Sequence, residues 1–116
     1  MQKNKAPKID ERVEKLLDYL QVNLKKKHSI ESLANTVALS PSRLSHLFKQ
    51  EVGDSIVQYL LKMRLRQAAN LLEYTSDPIL EIAEEVGFKN PYYFTRQFTA
   101  YYGVSPRYYR NRHKTK

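Results

Sequence analysis

The side chains best suited to chemistry lie on two segments of similar design. In residues 40–53, Ser42, His46 and Lys49 fall on the helix side opposite Leu44, Leu47 and Phe48, at roughly 100° per residue. In residues 90–103, Tyr92, Arg96 and Thr99 stand at the equivalent places, opposite the stripe Phe94, Phe98 and Tyr101. Hydroxyls, an imidazole, an ammonium and a guanidinium make such a face a hydrogen-bonding surface. A short helix held from behind by apolar residues and polar in front can enter a groove. Catalysis is a poor fit. Ser45 and His46 are neighbours in sequence and diverge on a helix, so they are not a nucleophile–base pair. His28, His46 and His113 are scattered without a ligand-spaced set, and no glycine-rich phosphate loop is present. The reading is therefore of no enzyme, no metal and no cofactor.

The elements that must position these faces are marked by punctuation. Four of the five prolines follow a capping residue, in Ser40-Pro41, Asp77-Pro78, Asn90-Pro91 and Ser105-Pro106, and each pair predicts a helix start. Gly53 and Gly103 predict helix ends. The first helix runs from about Ile9 to Leu24 on Val13, Leu16, Leu17, Leu20 and Leu24, and is followed by a basic turn, Lys25-Lys26-Lys27-His28. Solvation of that turn and a phosphate contact are both open. Ser29 caps a second helix carrying Leu33, Ala34 and Val37. Residues 54–74 read as one helix without internal Gly or Pro, about 30 Å long, close to one turn of B-DNA at about 34 Å. The fifth helix carries Ile79, Ile82, Ala83 and Val86, and the last carries Tyr108 and Tyr109.

The fold class is therefore all-α, with about seven helices in two helix-turn-helix subdomains joined by a long linker helix. The organisation reads as a flexible lead-in at 1–8, a first subdomain at 9–53, the linker helix at 54–74, a second subdomain at 75–112 and a basic tail at 113–116. The two hairpins repeat. Leu33, Ala34 and Val37 recur 49 positions on as Ile82, Ala83 and Val86. Leu44, Phe48, Gly53 and Ser55 recur 50 positions on as Phe94, Phe98, Gly103 and Ser105, with a one-residue slip in the turn. One chain could thus place two equivalent helices in successive major grooves. The alternative is that the repeat is structural and one copy binds.

The net charge of +8 invites a polyanion partner, but its distribution is uneven. Residues 1–28 hold eight Lys/Arg against four acids and residues 104–116 hold five against none, whereas 77–103 hold only Lys89 and Arg96 against Asp77, Glu81, Glu84 and Glu85. The chain has no Cys, so disulfides and cysteine metal sites are excluded, consistent with a reducing, cytoplasmic setting. No apolar run is long enough to span a membrane.

From Ile9 to Arg112 the chain resembles the DNA-binding domain of the AraC/XylS transcription regulators. The stretches that carry the resemblance are 39–48 (LSPSRLSHLF), 82–88 (IAEEVGF), 93–98 (YFTRQF) and 103–110 (GVSPRYYR). The resemblance implies sequence-specific binding of double-stranded promoter DNA in the bacterial cytoplasm (nucleoid) and control of transcription, usually activation through contact with RNA polymerase. By position it puts base contacts on Ser42, Ser45 and His46 in the first recognition helix, and on Tyr92, Tyr93, Thr95 and Arg96 in the second. Many members have two basic residues after the phenylalanine of the second recognition helix; here Thr99 and Ala100 stand there, which weakens the expected grip of the second half. Most members also carry a separate effector or dimerisation domain, so the expectation is a monomeric isolated domain and a full-length protein that dimerises elsewhere.

Arg96 has the fork that matches guanine O6 and N7; its alternative is an ion pair with Glu84 or Glu85. His46 could reach a guanine or a phosphate, or be an ordinary surface histidine. Tyr93 could touch a base or pack at the helix edge. Arg43, Lys49, Lys62, Arg66 and Lys89 are candidate phosphate contacts, and Asn90 either caps its helix or presents the helix N-terminus to a phosphate. The rival function is a helical protein-interaction module of the same fold without specific DNA binding.

Overall fold

The structure is a computed structural model describing residues 9–113, and these form seven α-helices: α1 (Glu11–Val22), α2 (Ile30–Thr36), α3 (Pro41–Val52), α4 (Ile56–Tyr74), α5 (Ile79–Glu85), α6 (Pro91–Tyr102) and α7 (Pro106–His113). The all-α expectation holds. The lead-in at 1–8 and residues 114–116 of the expected tail lie outside the described residues.

Local chemistry explains most helix ends. The side-chain oxygens of Ser29, Ser40, Ser55 and Ser105 each accept from the backbone N–H three residues on, at 3.1 Å. Each such cap is worth about 1 kcal/mol. Gly53 and Gly103 end α3 and α6 at φ 96° and 81°, in the left-handed region where a side chain is disfavoured. The expected start at Asp77-Pro78 is different. Pro78 itself occupies the cap position with extended backbone, α5 begins at Ile79 without a side-chain cap, and Asp77 lies one residue too far out to supply one. Its N–H instead donates to Thr75 Oγ1 at 3.2 Å. α4 begins at Ile56 rather than Asp54, because Ser55 takes the cap position. α1 ends at Val22, short of Leu24, and α7 extends through His113, into the expected tail.

The apolar residues gather into two cores that share α4. The first holds Val13, Leu16 and Leu20 of α1, Leu33 and Ala34 of α2, Leu44 and Phe48 of α3, and Ile56 and Leu60 from the first turns of α4. The second holds Leu65, Ala68, Ala69 and Leu72 from the remainder of α4, with Ile82, Ala83, Val86 and Phe88 from α5 and its turn, and Phe94 and Phe98 of α6. No polar or charged residue among those described is buried, so the cores are held by apolar burial and packing alone. The expected α6 stripe needs one correction. Tyr102, not Tyr101, continues it, with its ring 4.6 Å from Phe98 and 5.3 Å from Tyr109. Tyr101 is exposed. Both tyrosines stand within a helical turn of Phe98, and the packing of α7 through Tyr109 selects the one facing it.

At the start of α1, Asp10 Oδ1 accepts from the N–H of Arg12 at 2.8 Å, and both carboxylate oxygens accept from its guanidinium, at 3.1 and 3.0 Å. The Arg12 hydrogen bonds hold the Asp10 carboxyl at about 2, below its ordinary 3.8. A carboxyl whose folded pKa is depressed contributes stability above its unfolded value and loses it as pH falls through the folded one. The α1 cap is therefore expected to persist at pH 4 and to release between pH 4 and pH 2. An NMR titration of the Asp10 carboxyl should give a midpoint near 2 that rises toward 4 in Arg12→Ala; a midpoint near 4 in the parent chain would refute the pairing.

Candidate nucleic-acid interface

α3 and α6 present the same surface. Residues 42–50 and 92–100 repeat one burial pattern position for position, with Leu44/Phe94 and Phe48/Phe98 buried, Leu47/Gln97 half-buried and the other residues exposed. The structure thus puts every predicted base-contact residue in solvent: Ser42, Ser45 and His46 on α3, and Tyr92, Tyr93, Thr95 and Arg96 on α6. Among the described residues, none of their side chains is engaged in an intramolecular hydrogen bond or salt bridge. An ion pair between Arg96 and Glu84 or Glu85 is not formed among the described residues. The Arg96 guanidinium lies 5.9 Å from the centroid of the Tyr93 ring, and that ring lies 6.0 Å from Phe88. Tyr93 therefore packs at the helix edge on Phe88, and from there offers a π surface to Arg96.

The candidate phosphate contacts divide. Arg43, Lys49 and Lys89 are exposed. Lys62 donates to Asp54 Oδ2 at 3.0 Å, forming a half-exposed ion pair that closes the turn into α4. Arg66 Nε donates to Tyr101 Oη at 3.2 Å. Asn90 caps α6, its Oδ1 accepting from the N–H of Tyr92 at 2.8 Å and of Tyr93 at 3.2 Å. Two of the amides at the α6 N-terminus are thereby already satisfied.

The fold also brings together residues that local reading left apart. The repeat slip is one inserted residue. Leu39 and Phe88 make the same backbone bond, to the carbonyl oxygens of Ala34 and Ala83, whereas the caps Ser40 and Asn90 are 50 apart. Lys89 is the extra residue, and it faces the basic turn after α1. Lys25, Lys26, Lys27, His28, Arg64 and Lys89 line one cleft of about 300 Å³ together with Val57, Leu60 and Gly87. A neighbouring cleft, also lined by Val57, Arg64 and Lys89, continues to the cap Asn90 and to Tyr93 and Gln97 on α6. The basic cleft therefore opens beside the second recognition helix. The only sequence signal was the lysine run itself, since the approach of residue 25 to residue 89 is not local.

Two arginines tie the helix that follows each pair to the end of the helix that precedes it. Arg64 Nε donates to Leu24 O at 2.9 Å and Nη2 to Lys26 O at 3.0 Å, satisfying carbonyls beyond the end of α1. Arg110 on α7 does the same for α4, with Nε donating to Leu72 O and Nη2 to Thr75 O, both at 3.1 Å. Among the described residues no group of His, Cys, Asp or Glu is placed to hold a metal, and no helix is long and apolar enough to cross a membrane.

Two helix-turn-helix pairs on a shared helix, each with an exposed polar face, define a tandem helix-turn-helix DNA-binding module. A family described as "Helix-turn-helix domain" matches residues 33–112. The arabinose operon regulatory protein of Salmonella typhimurium is 41% identical over 105 residues, covering 90% of this chain and 37% of that protein. Its Escherichia coli counterpart gives a similar match over 36% of its length, so the chain spans little more than a third of either. Among solved structures, the C-terminal domain of AraT, a response regulator from Geobacillus stearothermophilus, superposes with a TM-score of 0.89 at 36% identity, covering 95% of this chain and 92% of that one. The DNA-binding domain of AdpA, a global transcriptional factor solved in complex with a target DNA, gives 0.83 at 26% identity, covering 87% and 91%. The chain belongs to the AraC/XylS family of transcription regulators, as the DNA-binding domain of that family, whose role is binding and not catalysis.

Proposed function

We propose that the chain recognises double-stranded promoter DNA with both α3 and α6, in successive major grooves, and regulates bacterial transcription. The observation that carries this is the position-for-position repeat of exposure on α3 and α6, with side chains left unpaired among the described residues on both. In this reading residues 9–53 and 75–112 are the two reading subdomains and 54–74 is the linker. Ser42, Ser45, His46, Tyr92, Tyr93, Thr95 and Arg96 meet base edges. Arg43, Lys49 and Lys89 meet phosphates. Lys62 and Arg66 contribute less than the sequence suggests, since Asp54 and Tyr101 already hold them, and Asn90 acts mainly as a cap. RNA polymerase is the expected protein partner, the cytoplasm with its nucleoid the expected location, and dimerisation the business of a separate domain.

Selection of bound duplexes from random DNA, followed by footprinting, tests this. Protection of about two helical turns is expected; protection of about one would leave a single reading helix, and no preferred sequence would overturn the assignment.

The basic cleft adds a prediction. Replacing Lys25, Lys26 and Lys27 together with Gln is expected to weaken binding to all sequences alike. It should also lower the slope of log affinity against log salt, by about 0.9 for each phosphate that the chain no longer neutralises. Titration of selected and random duplexes at several salt concentrations would show it. An unchanged slope would assign the turn to solvent.

A further inference from the structure

The three glycines separate two requirements. All three have positive φ, but a Cβ built on Gly53 or Gly103 meets nothing within 4 Å. Those two serve only the conformation that ends a helix. A Cβ on Gly87, at φ 105°, would lie 2.6 Å from Leu24 O and 2.8 Å from Arg64 Nε. The equivalent turn residue in the first helix pair is Ala38, at φ 58° and exposed. Gly87, at φ 105°, is held to glycine by its backbone and, unlike Gly53 and Gly103, also by the approach of another part of the molecule.

That part is a three-way junction. Leu24 and Lys26 belong to the turn of the first subdomain, Arg64 to the middle of α4, and Gly87 to the turn of the second subdomain. The Arg64 fork donates to both first-subdomain carbonyls, and Gly87 lies against the Nε–Leu24 O bond, where a Cβ would come within 3 Å of both atoms. Arg64 also stands on α4 between Leu60, the last α4 residue of the first core, and Leu65, the first of the second. The two cores share no buried residue, so the junction is a polar clasp between two separately packed bodies. Its counterpart Arg110 joins α7 to the end of α4 inside the second subdomain, and so cannot serve this purpose.

We infer that Arg64 is a positioning residue: by bonding the first subdomain and seating Gly87 of the second, it fixes the angle between α3 and α6 and thereby the half-site spacing that one chain accepts. The spacing half of this rests on the reading that both helices bind DNA; the angular half does not. Moving one half-site by a single base pair rotates it by roughly 35° about the duplex. A rigid pair of readers cannot follow that rotation with both helices, whereas a loose pair follows it at the cost of effective concentration.

The 116-residue chain lacks cysteine, so Gln50→Cys with Ala100→Cys places spin labels on exposed positions of α3 and α6. Pulsed dipolar spectroscopy without DNA should give one narrow distance distribution. Arg64→Met keeps the stem and removes both bonds, and should at least double the width at unchanged helical content. Arg64→Lys replaces the fork by a single point donor and should fall between. An unchanged width in Arg64→Met overturns the inference; if that variant loses helical content, an unchanged width in Arg64→Lys does so. Unlabelled chains are then titrated with the selected duplex and with versions gaining or losing one base pair between half-sites. The parent should bind the altered duplexes about tenfold more weakly and Arg64→Met less than about threefold more weakly, its affinity for the unaltered duplex being lower by about tenfold. Equal spacing preference in parent and variant overturns the spacing claim. Failure of the parent to select any duplex overturns the DNA reading instead, while the distance widths still decide the role of Arg64.

Discussion

Replacing Arg96 with alanine is expected to weaken binding to the selected operator by about 5- to 150-fold, the equivalent of about 1–3 kcal/mol, and binding to random duplexes by no more than about threefold. The difference between those numbers follows from geometry. A guanidinium that only neutralised a phosphate would cost both kinds of DNA alike. Arg96 is exposed on the outer side of α6, and its guanidinium lies 5.9 Å from the Tyr93 ring. The ring is itself seated near Phe88, which is buried in the second core. The fork is thus partly oriented before DNA arrives, and less side-chain freedom is lost on forming a bidentate contact. Tyr93→Ala should accordingly lower operator affinity through Arg96 as well as directly, and the two substitutions should be less than additive. His46 stands at the equivalent place on α3 but has no fork, so His46→Ala is expected to cost less. Fluorescence anisotropy on the selected and random duplexes at matched salt gives all these ratios. An equal loss on both duplexes would reassign Arg96 to a phosphate.

The helices were legible because their ends are local. A serine oxygen reaches an N–H three residues on, and glycine at a helix end relieves a φ/ψ clash within one residue, so Ser29, Ser40, Gly53 and Gly103 announce themselves in any short window. The outer faces of α3 and α6 were legible for a similar reason, since helical period alone separates Ser42, His46 and Arg96 from Leu44, Phe48, Phe94 and Phe98. The duplication reinforced each reading with a second, independent copy. Pro78 misled because a capping-type residue before proline usually puts the proline inside the helix, and here it took the cap place itself. What the pattern could not carry is what spans the chain. The bonds of Arg64 and Arg110 join residues about 40 positions apart, and the Arg66–Tyr101 bond depends on how α4 and α6 pack. A basic residue bonded to a carbonyl and one awaiting a phosphate look the same in sequence. The candidate phosphate contacts were accordingly the part of the site that the fold changed most.

Phe98→Ala is expected to destabilise the second subdomain by about 3–5 kcal/mol, the range for truncating a fully buried aromatic. Phe98 is completely buried, and its ring packs within 6 Å of Phe94, Tyr102 and Tyr109, so truncation leaves a cavity walled by three other rings. A whole domain holds only about 5–15 kcal/mol in reserve, and here the apolar burial is divided between two cores with no buried residue in common. The loss should therefore be local. Protection of amides from hydrogen exchange is expected to collapse over α5, α6 and α7, and to change little in α1, α2 and α3. Phe48→Ala, the equivalent truncation in the first core, should give the mirror image. The shared helix makes the outcome asymmetric. Most of the buried α4 residues, Leu65, Ala68, Ala69 and Leu72, belong to the second core, and only Ile56 and Leu60 belong to the first. Phe98→Ala should fray the C-terminal part of α4, whereas Phe48→Ala should leave it protected. In DNA binding, Phe98→Ala should shorten the footprint to the half read by α3, while the Arg64 clasp survives only as far as α4 itself does. Uniform loss of protection in both subdomains from either substitution would show the two cores to be one cooperative unit, and would place the coupling in α4.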